Sequence, residues 1–298
     1  MKVLVFGANG QLGKCIQDIE GIKFLGTSPY GDFRFYDKDS GDIKNALAIE
    51  KLVKEEKPDF IINCAAYTQV EAAETNSECS NNAYEINTMG PMNLAIICKQ
   101  YGVKLVHIST DYVFDGQKGF YTEDDKPNPI NVYGRSKLFG ERAIMRIMTP
   151  GTYYIIRTSW LYSKYNNNFF GKIASSLLSG EKVYVVEDQI GCPTYAPDLA
   201  KFIVDIVENK GHSDGGIYHF TNLGIASRYD VAKEIERTLG LSDMVVPISS
   251  KESENTVHRP PLCIMSKTKA LAEFGPIRQW ADALREYVET IPTQNTVK

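Results

Sequence analysis

Tyr133 and Lys137 stand four residues apart in the stretch INVYGRSKLFGE at residues 130–141. The surrounding pattern is helical, and side chains at i and i+4 share one helix face. A phenol and an ammonium can therefore meet a single ligand there. A tyrosine ordinarily titrates near about 10. A neighbouring ammonium would favour phenolate, making Tyr133 a general acid and base near neutral pH. Tyr-x-x-x-Lys arises often by chance, so the pair gains meaning only from its surroundings.

Those surroundings begin at GANGQLG, which sets Gly7, Gly10 and Gly13 directly after an apolar run and at the start of a helical pattern. Glycines there permit a tight turn and close approach of backbone to a pyrophosphate, whose charge the helix N-terminus stabilises. The spacing is G-x-x-G-x-x-G. NAD sites commonly place an acid on the ribose roughly 20 residues further on, at the end of the second strand. Reading KFLGT (residues 23–27) as that strand leaves Thr27 and Ser28 in the acid's place, with Arg34 nearby. The absence of a carboxylate there favours NADPH over NADH. STDYVF (residues 109–114) and NCAAYT (residues 63–68) each close a β-rich run. Ligands of open parallel sheets bind outside such strand ends. Thr110, or Ser109, can there hydrogen-bond the substrate oxygen that Tyr133 serves.

Positioning these residues requires a regular frame. The first half alternates β-rich runs at residues 2–7, 59–66, 103–110 and 153–162 with helical patterns from 11, at 45–57, 82–101 and 131–148. This alternation requires crossover connections, hence an α/β fold with a doubly wound, Rossmann-type parallel sheet. After residue 160 the rhythm loosens into strand patterns at KVYVVED and GIYHFTN and helical ones at 197–208 and 227–239, then a polar loop at 248–261. The expected division is a dinucleotide-binding domain over 1–160 and a smaller, mainly substrate-binding α/β lobe over 161–298. Segments near 190–215 could return to the first.

Composition narrows the function. With 298 residues, 43% hydrophobic, and a net charge of −4, the chain offers no basic field for nucleic acid. No apolar run approaches the roughly 18 to 20 residues that span a bilayer. The opening MKVLVFG meets glycine too soon for a signal peptide, so a cytoplasmic location is expected. Six scattered cysteines and four histidines lack metal spacing. Reduced thiols are the expectation, with no metal site.

GANGQLG, NCAAYT, STDYVFDG, NVYGRSKLFGE and IIRTSWLY, in this order, resemble the extended short-chain dehydrogenase/reductases, and among them the dTDP-4-dehydrorhamnose reductases. The likeness continues through NNNFF, VVEDQIGCPTYAPDLA, GIYHFTN and HRPP. It implies reduction of the C4 ketone of dTDP-4-dehydro-6-deoxy-L-mannose to dTDP-L-rhamnose by NAD(P)H, in dTDP-rhamnose biosynthesis. Tyr133 would protonate the alkoxide, Lys137 would hold the nicotinamide ribose, and Thr110 would polarise the carbonyl. The resemblance assigns Gly10, Gln11, Leu12, Asp42, Ile43, Ala65, Ala66 and Tyr67 to the cofactor. It assigns Thr68, Ser109, Asp111 and Trp160 to the substrate. Arg259 in HRPP suits the diphosphate, because arginine forks onto phosphate oxygens.

Departures matter too. Some family members pair through magnesium held by glutamates, one of them two residues after the last cradle glycine. Cys15 stands there, and a thiol is a poor ligand for a hard cation. A monomer, or a homodimer without a metal bridge, is expected. After HRPP, Ser266 stands where an aspartate is common. Two alternatives stay open: an epimerase or reductase of another nucleotide sugar, and a non-catalytic NADP-binding subunit like that of methionine adenosyltransferase.

Overall fold

Val3, Leu4, Val5 and Phe6 are fully buried, as a strand covered on both faces requires. In this computed structural model, residues 1–19, 31–166, 168–208, 214–252 and 257–292 are described. The strand is β1 (Lys2–Phe6), followed by α1 (Gln11–Asp18), β2 (Asp32–Tyr36), α2 (Ala46–Glu56), β3 (Phe60–Asn63), α3 (Val70–Thr75), α4 (Ser77–Tyr84) and α5 (Gly90–Tyr101). Next come β4 (Lys104–Thr110), β5 (Gly119–Tyr121), α6 (Val132–Ile147), β6 (Tyr153–Thr158), β7 (Leu161–Tyr162), α7 (Phe169–Leu178) and β8 (Val183–Val186). The chain continues through β9 (Ile190–Gly191), β10 (Thr194–Tyr195), α8 (Ala196–Glu208), β11 (Gly216–His219), β12 (Ala226–Ser227) and α9 (Arg228–Thr238). β13 (Val245–Ile248), β14 (Cys263–Met265), α10 (Thr268–Phe274) and α11 (Trp280–Glu289) complete it.

Six strands form the central sheet in the order β11-β6-β4-β3-β1-β2, and every neighbouring pair is parallel. This is the doubly wound α/β fold that strand–helix alternation implies. The order reverses between β1 and β3, where such sheets bind their ligands. One apolar layer joins α1 and α8 to the sheet through Ile16, Leu199 and Ile203. The other packs Ile49, Leu94 and Ile144 beneath the opposite face. A further cluster gathers Phe170, Leu177, Val231, Ile235 and Leu284 from α7, α9 and α11.

Local chemistry explains the helix ends. Asn45 caps α2 by accepting from Ala48 N, and Lys57 ends it in the left-handed region at φ 48° ahead of Pro58. Asn131 caps α6 by accepting from Gly134 N. Three expectations change. The second strand of the sheet is Asp32–Tyr36, while residues 23–27 lie outside the described residues. The run at 153–162 is two strands, broken where Trp160 takes φ 47°. The helix expected over 82–101 contains a π-helical turn at Glu85–Met89. GIYHFTN, from the second half of the chain, supplies the edge strand β11 beside β6.

Candidate active site

The turn after β1 is built by contact. Gly7 has φ +81°, and a Cβ there would lie 2.5 Å from Ala65 N; only glycine fits. Gly13 sits inside α1, where a Cβ would come within 2.4 Å of the Gly7 carbonyl. Gly10 is the N-cap of α1 and offers no capping side chain, which leaves first-turn N–H groups for an anion. These constraints suit a dinucleotide pyrophosphate.

Two cavities flank this turn. The smaller, of about 250 Å³, is lined by Gly7, Gly10, Asp42, Ile43, Ala65 and Ala66, together with Asp37 and Lys38. It suits the adenosine half of the cofactor. A carboxylate does stand at the end of the second strand, contrary to expectation. β2 runs straight to Asp37, whose carboxylate accepts from Ser40 and from Asn9 Nδ2. Arg34 instead lies within β2, paired with Asp32 at 2.9 Å. The cavity thus offers a carboxylate to a ribose diol and an ammonium to a 2′-phosphate.

The larger cavity, of about 460 Å³, brings together Tyr133, Lys137 and Thr110 with Gly10, Gln11 and Leu12 of the turn. Ala66, Thr68, Ser109, Asp111 and Trp160 also line it. Tyr133 reaches it because α6 starts hard against the loop after β4. A Cβ on Gly134 would lie 2.1 Å from the Tyr112 carbonyl. The ring of Tyr112 meets that of Tyr133 edge-on at 5.7 Å.

The electrostatics differ from a simple reading of the Tyr–Lys pair. Burial pushes the Tyr133 phenol up to about 12, opposed by its hydrogen bond with Thr110. Lys137 does not acidify it: Nζ donates to the Ile108 carbonyl at 2.6 Å and lies 3.4 Å from His107 Nε2. Burial lowers Lys137 itself to about 8. Tyr133 therefore holds its proton at neutral pH, which is the state a proton donor needs. Asp111 is raised to about 7 by burial, with Thr110 and Arg228 holding it down. Thr110 Oγ1 donates to the Asp111 carboxylate at 3.1 Å and accepts from Tyr112 N at 3.2 Å.

Behind the cavity lies a buried ion pair. Arg157 Nε and Nη2 reach the two oxygens of Glu141 at 3.0 and 2.7 Å. Ser109 donates its hydroxyl to the same carboxylate. The Ser109 hydroxyl is thus engaged with α6, while the residue still lines the cavity beside Thr110. His107 Nδ1 accepts from Asn63 Nδ2 at 3.1 Å. Asn63 Oδ1 accepts from Ala65 N, which orients the amide to donate.

Other expected residues sit apart. Tyr67 lines neither cavity and is held by Asn87, which accepts from Tyr67 N at 2.8 Å. Arg259 also lines neither; it pairs with Glu71 at the start of α3. Its loop is tied to α6 where Asn131 Nδ2 donates to the His258 carbonyl at 3.0 Å. Cys15 is buried in α1, and burial pushes its thiol up to about 12. Sequence reasoning missed Asp37, Tyr112, Phe169 and Arg228. For Arg228 a signal existed: a cation in the first turn of a capped helix opposes the helix dipole.

Residues 1–292 match the family described as the RmlD substrate binding domain. The dTDP-4-dehydrorhamnose reductase of Mycolicibacterium smegmatis is 34% identical over 97% of this chain and 86% of its own. The dTDP-4-keto-6-deoxy-D-glucose reductase of Streptomyces niveus is 36% identical over 95% of each. Among solved structures, the dTDP-4-dehydrorhamnose reductase of Bacillus anthracis in complex with NADP superposes with a TM-score of 0.87 at 37% identity, over 97% and 99% of the two chains. By sequence along almost its whole length, and by fold, the chain belongs to the RmlD substrate binding domain family.

Proposed function

We propose that the protein is an NAD(P)H-dependent reductase that converts the C4 ketone of dTDP-4-dehydro-6-deoxy-L-mannose to dTDP-L-rhamnose. The observation that carries this reading is one cavity shared by Tyr133, Thr110 and Lys137 with Gly10 and Gln11 of the glycine turn. When bound, a reduced nicotinamide supplies the hydride. Gly7, Gly10 and the start of α1 hold the pyrophosphate, and Asp42, Ile43, Ala65 and Ala66 enclose the adenosine. Thr110 and Tyr133 hydrogen-bond the ketone oxygen and polarise it. Tyr133 then gives its proton to the alkoxide oxygen. Lys137, fixed on Ile108, hydrogen-bonds the cofactor ribose.

Residues 1–160 hold the cofactor in this scheme, and 161–298 mainly the sugar nucleotide. Trp160 walls the sugar, and Arg259 approaches the diphosphate once it leaves Glu71. No helix among the described residues is long and apolar enough to cross a membrane. The six free cysteines suit the cytoplasm. With Cys15 buried in α1, we propose that the subunit works alone or pairs without a magnesium bridge.

The test follows NAD(P)H oxidation with dTDP-4-dehydro-L-rhamnose beside UDP- and GDP-linked 4-keto sugars, with each cofactor and identification of the product by NMR. Turnover of the dTDP-linked ketone to dTDP-L-rhamnose is expected. Turnover of only another nucleotide's sugar, or none, would reject the assignment.

A further inference from the structure

Arg228 is a cation of the catalytic cavity that the reaction derived above leaves unused. It is the first residue of α9, where Ser227 and Asp230 close a capping box. A positive side chain at this end opposes the helix dipole. Sequences break such local rules mainly where function requires the charge. Its guanidinium carbon lies 4.2 Å from the Trp160 ring centroid and 4.6 Å from that of Phe169. Trp160 is fixed in turn: its backbone takes φ 47°, and a Cβ on Gly191 would come within 2.9 Å of the indole. The rings hold the guanidinium by cation–π contact and leave its N–H edge for polar partners. The Tyr112 phenol takes one hydrogen bond. Among the described residues no carboxylate lies within ion-pair distance of Arg228. A guanidinium has five N–H donors, so several remain for a ligand.

Its position says which part of the ligand. Tyr112 meets Tyr133 edge-on at 5.7 Å, so Arg228 stands one aromatic ring away from the phenol that hands over the proton. Asp111, next to Thr110, faces the same charge. That is the neighbourhood of the reacting sugar ring.

We propose that Arg228 is a specificity-determining residue that reads the sugar. Its N–H edge donates to ring hydroxyl oxygens of the 4-keto sugar, and its hold on Tyr112 sets the ring against Tyr133. The proposal rests on the reductase reading above and deepens it. A sugar lacking those hydroxyls leaves the guanidinium's donors unpaired and is turned over poorly.

The test uses the full chain, wild type beside Arg228→Met and Arg228→Lys. It measures kcat and KM for dTDP-4-dehydro-L-rhamnose, inhibition by dTDP, which has the diphosphate but no sugar, and NADPH binding. Losing a charged hydrogen bond should cut kcat/KM roughly 100-fold in Arg228→Met. Arg228→Lys keeps the charge but not the fork, and should lose about tenfold. Inhibition by dTDP and binding of NADPH should stay within about twofold of wild type in both. Weakening of dTDP by the same factor as the substrate would overturn the proposal and move the contact to the diphosphate. Unchanged kcat/KM in both variants would overturn it as packing alone. Loss of NADPH binding in both would overturn it as general damage to the site. An inactive wild type would reject the reductase reading, and this proposal with it.

Discussion

Lys137, one helical turn beyond Tyr133, gives its ammonium to the carbonyl of Ile108 at 2.6 Å and not to the phenol. The two side chains share a cavity, but the cation is anchored to β4. Tyr133 consequently keeps its proton, and Lys137 is the group that titrates close to neutrality.

Burial lowers Lys137 to about 8, and the unfolded chain would hold it near about 10.4. Its ammonium is the working form, so activity should fall as pH rises through about 8. Lys137→Met should lose this alkaline limb together with most of its turnover. The same shift carries a stability cost, because the folded state disfavours the charged lysine below about 8 and the cost fades above it. Lys137→Met should therefore melt higher than wild type at pH 7, with the gap narrowing by pH 10. Melting curves and pH profiles of kcat check both statements.

Asp111 works in the opposite direction to an ordinary paired carboxylate. Its folded value is raised from 3.8 to about 7, so the folded state binds the proton more tightly than the unfolded chain. Stability from this group is greatest in acid and is lost as pH climbs between those values. The cost at pH 8 is on the order of 4 kcal/mol. Asp111→Asn should raise the melting temperature at pH 8, match wild type near pH 4, and lower turnover.

Glu141 is fully buried between Arg157 and Ser109. Removing one partner of a buried pair leaves the other uncompensated, at about 3–5 kcal/mol. Glu141→Gln should thus destabilise the fold by that amount in urea unfolding. Replacing Glu141 and Arg157 together by apolar residues should cost less than the single change.

The adenosine cavity makes a cofactor prediction. Asp37→Ala should weaken NADH several-fold with little change for NADPH, and Lys38→Ala should do the reverse. Titrations of nicotinamide fluorescence separate the two.

Local motifs carried much of this into the sequence. The glycine turn, the Asn45 and Asn131 caps, and the Tyr133–Lys137 face depend on residues within a few positions of each other, so their spacing reveals them. The parallel sheet followed from the strand–helix rhythm. What failed depends on contacts across the chain. β2 is hard to see because DFRFY mixes charged and aromatic residues. This hid Asp37 at the strand's end. The direction of the Tyr133 shift comes from its surroundings in the fold, where burial outweighs a lysine bonded elsewhere. Ser109 and Thr110 are indistinguishable by type, yet alternation along β4 sends one hydroxyl to Glu141 and the other to the cavity. Arg228 is 95 positions from Tyr133 in the chain, and only folding brings them to one cavity.

The central claim is that the Tyr133 phenol donates the proton that completes ketone reduction. Kinetics of Tyr133→Phe with dTDP-4-dehydro-L-rhamnose, beside a titration of NADPH binding, test it most directly. Removing a proton donor from an otherwise intact site should lower kcat by about 10³-fold or more, with NADPH affinity within about twofold. A variant that turns over at the wild-type rate would contradict the account.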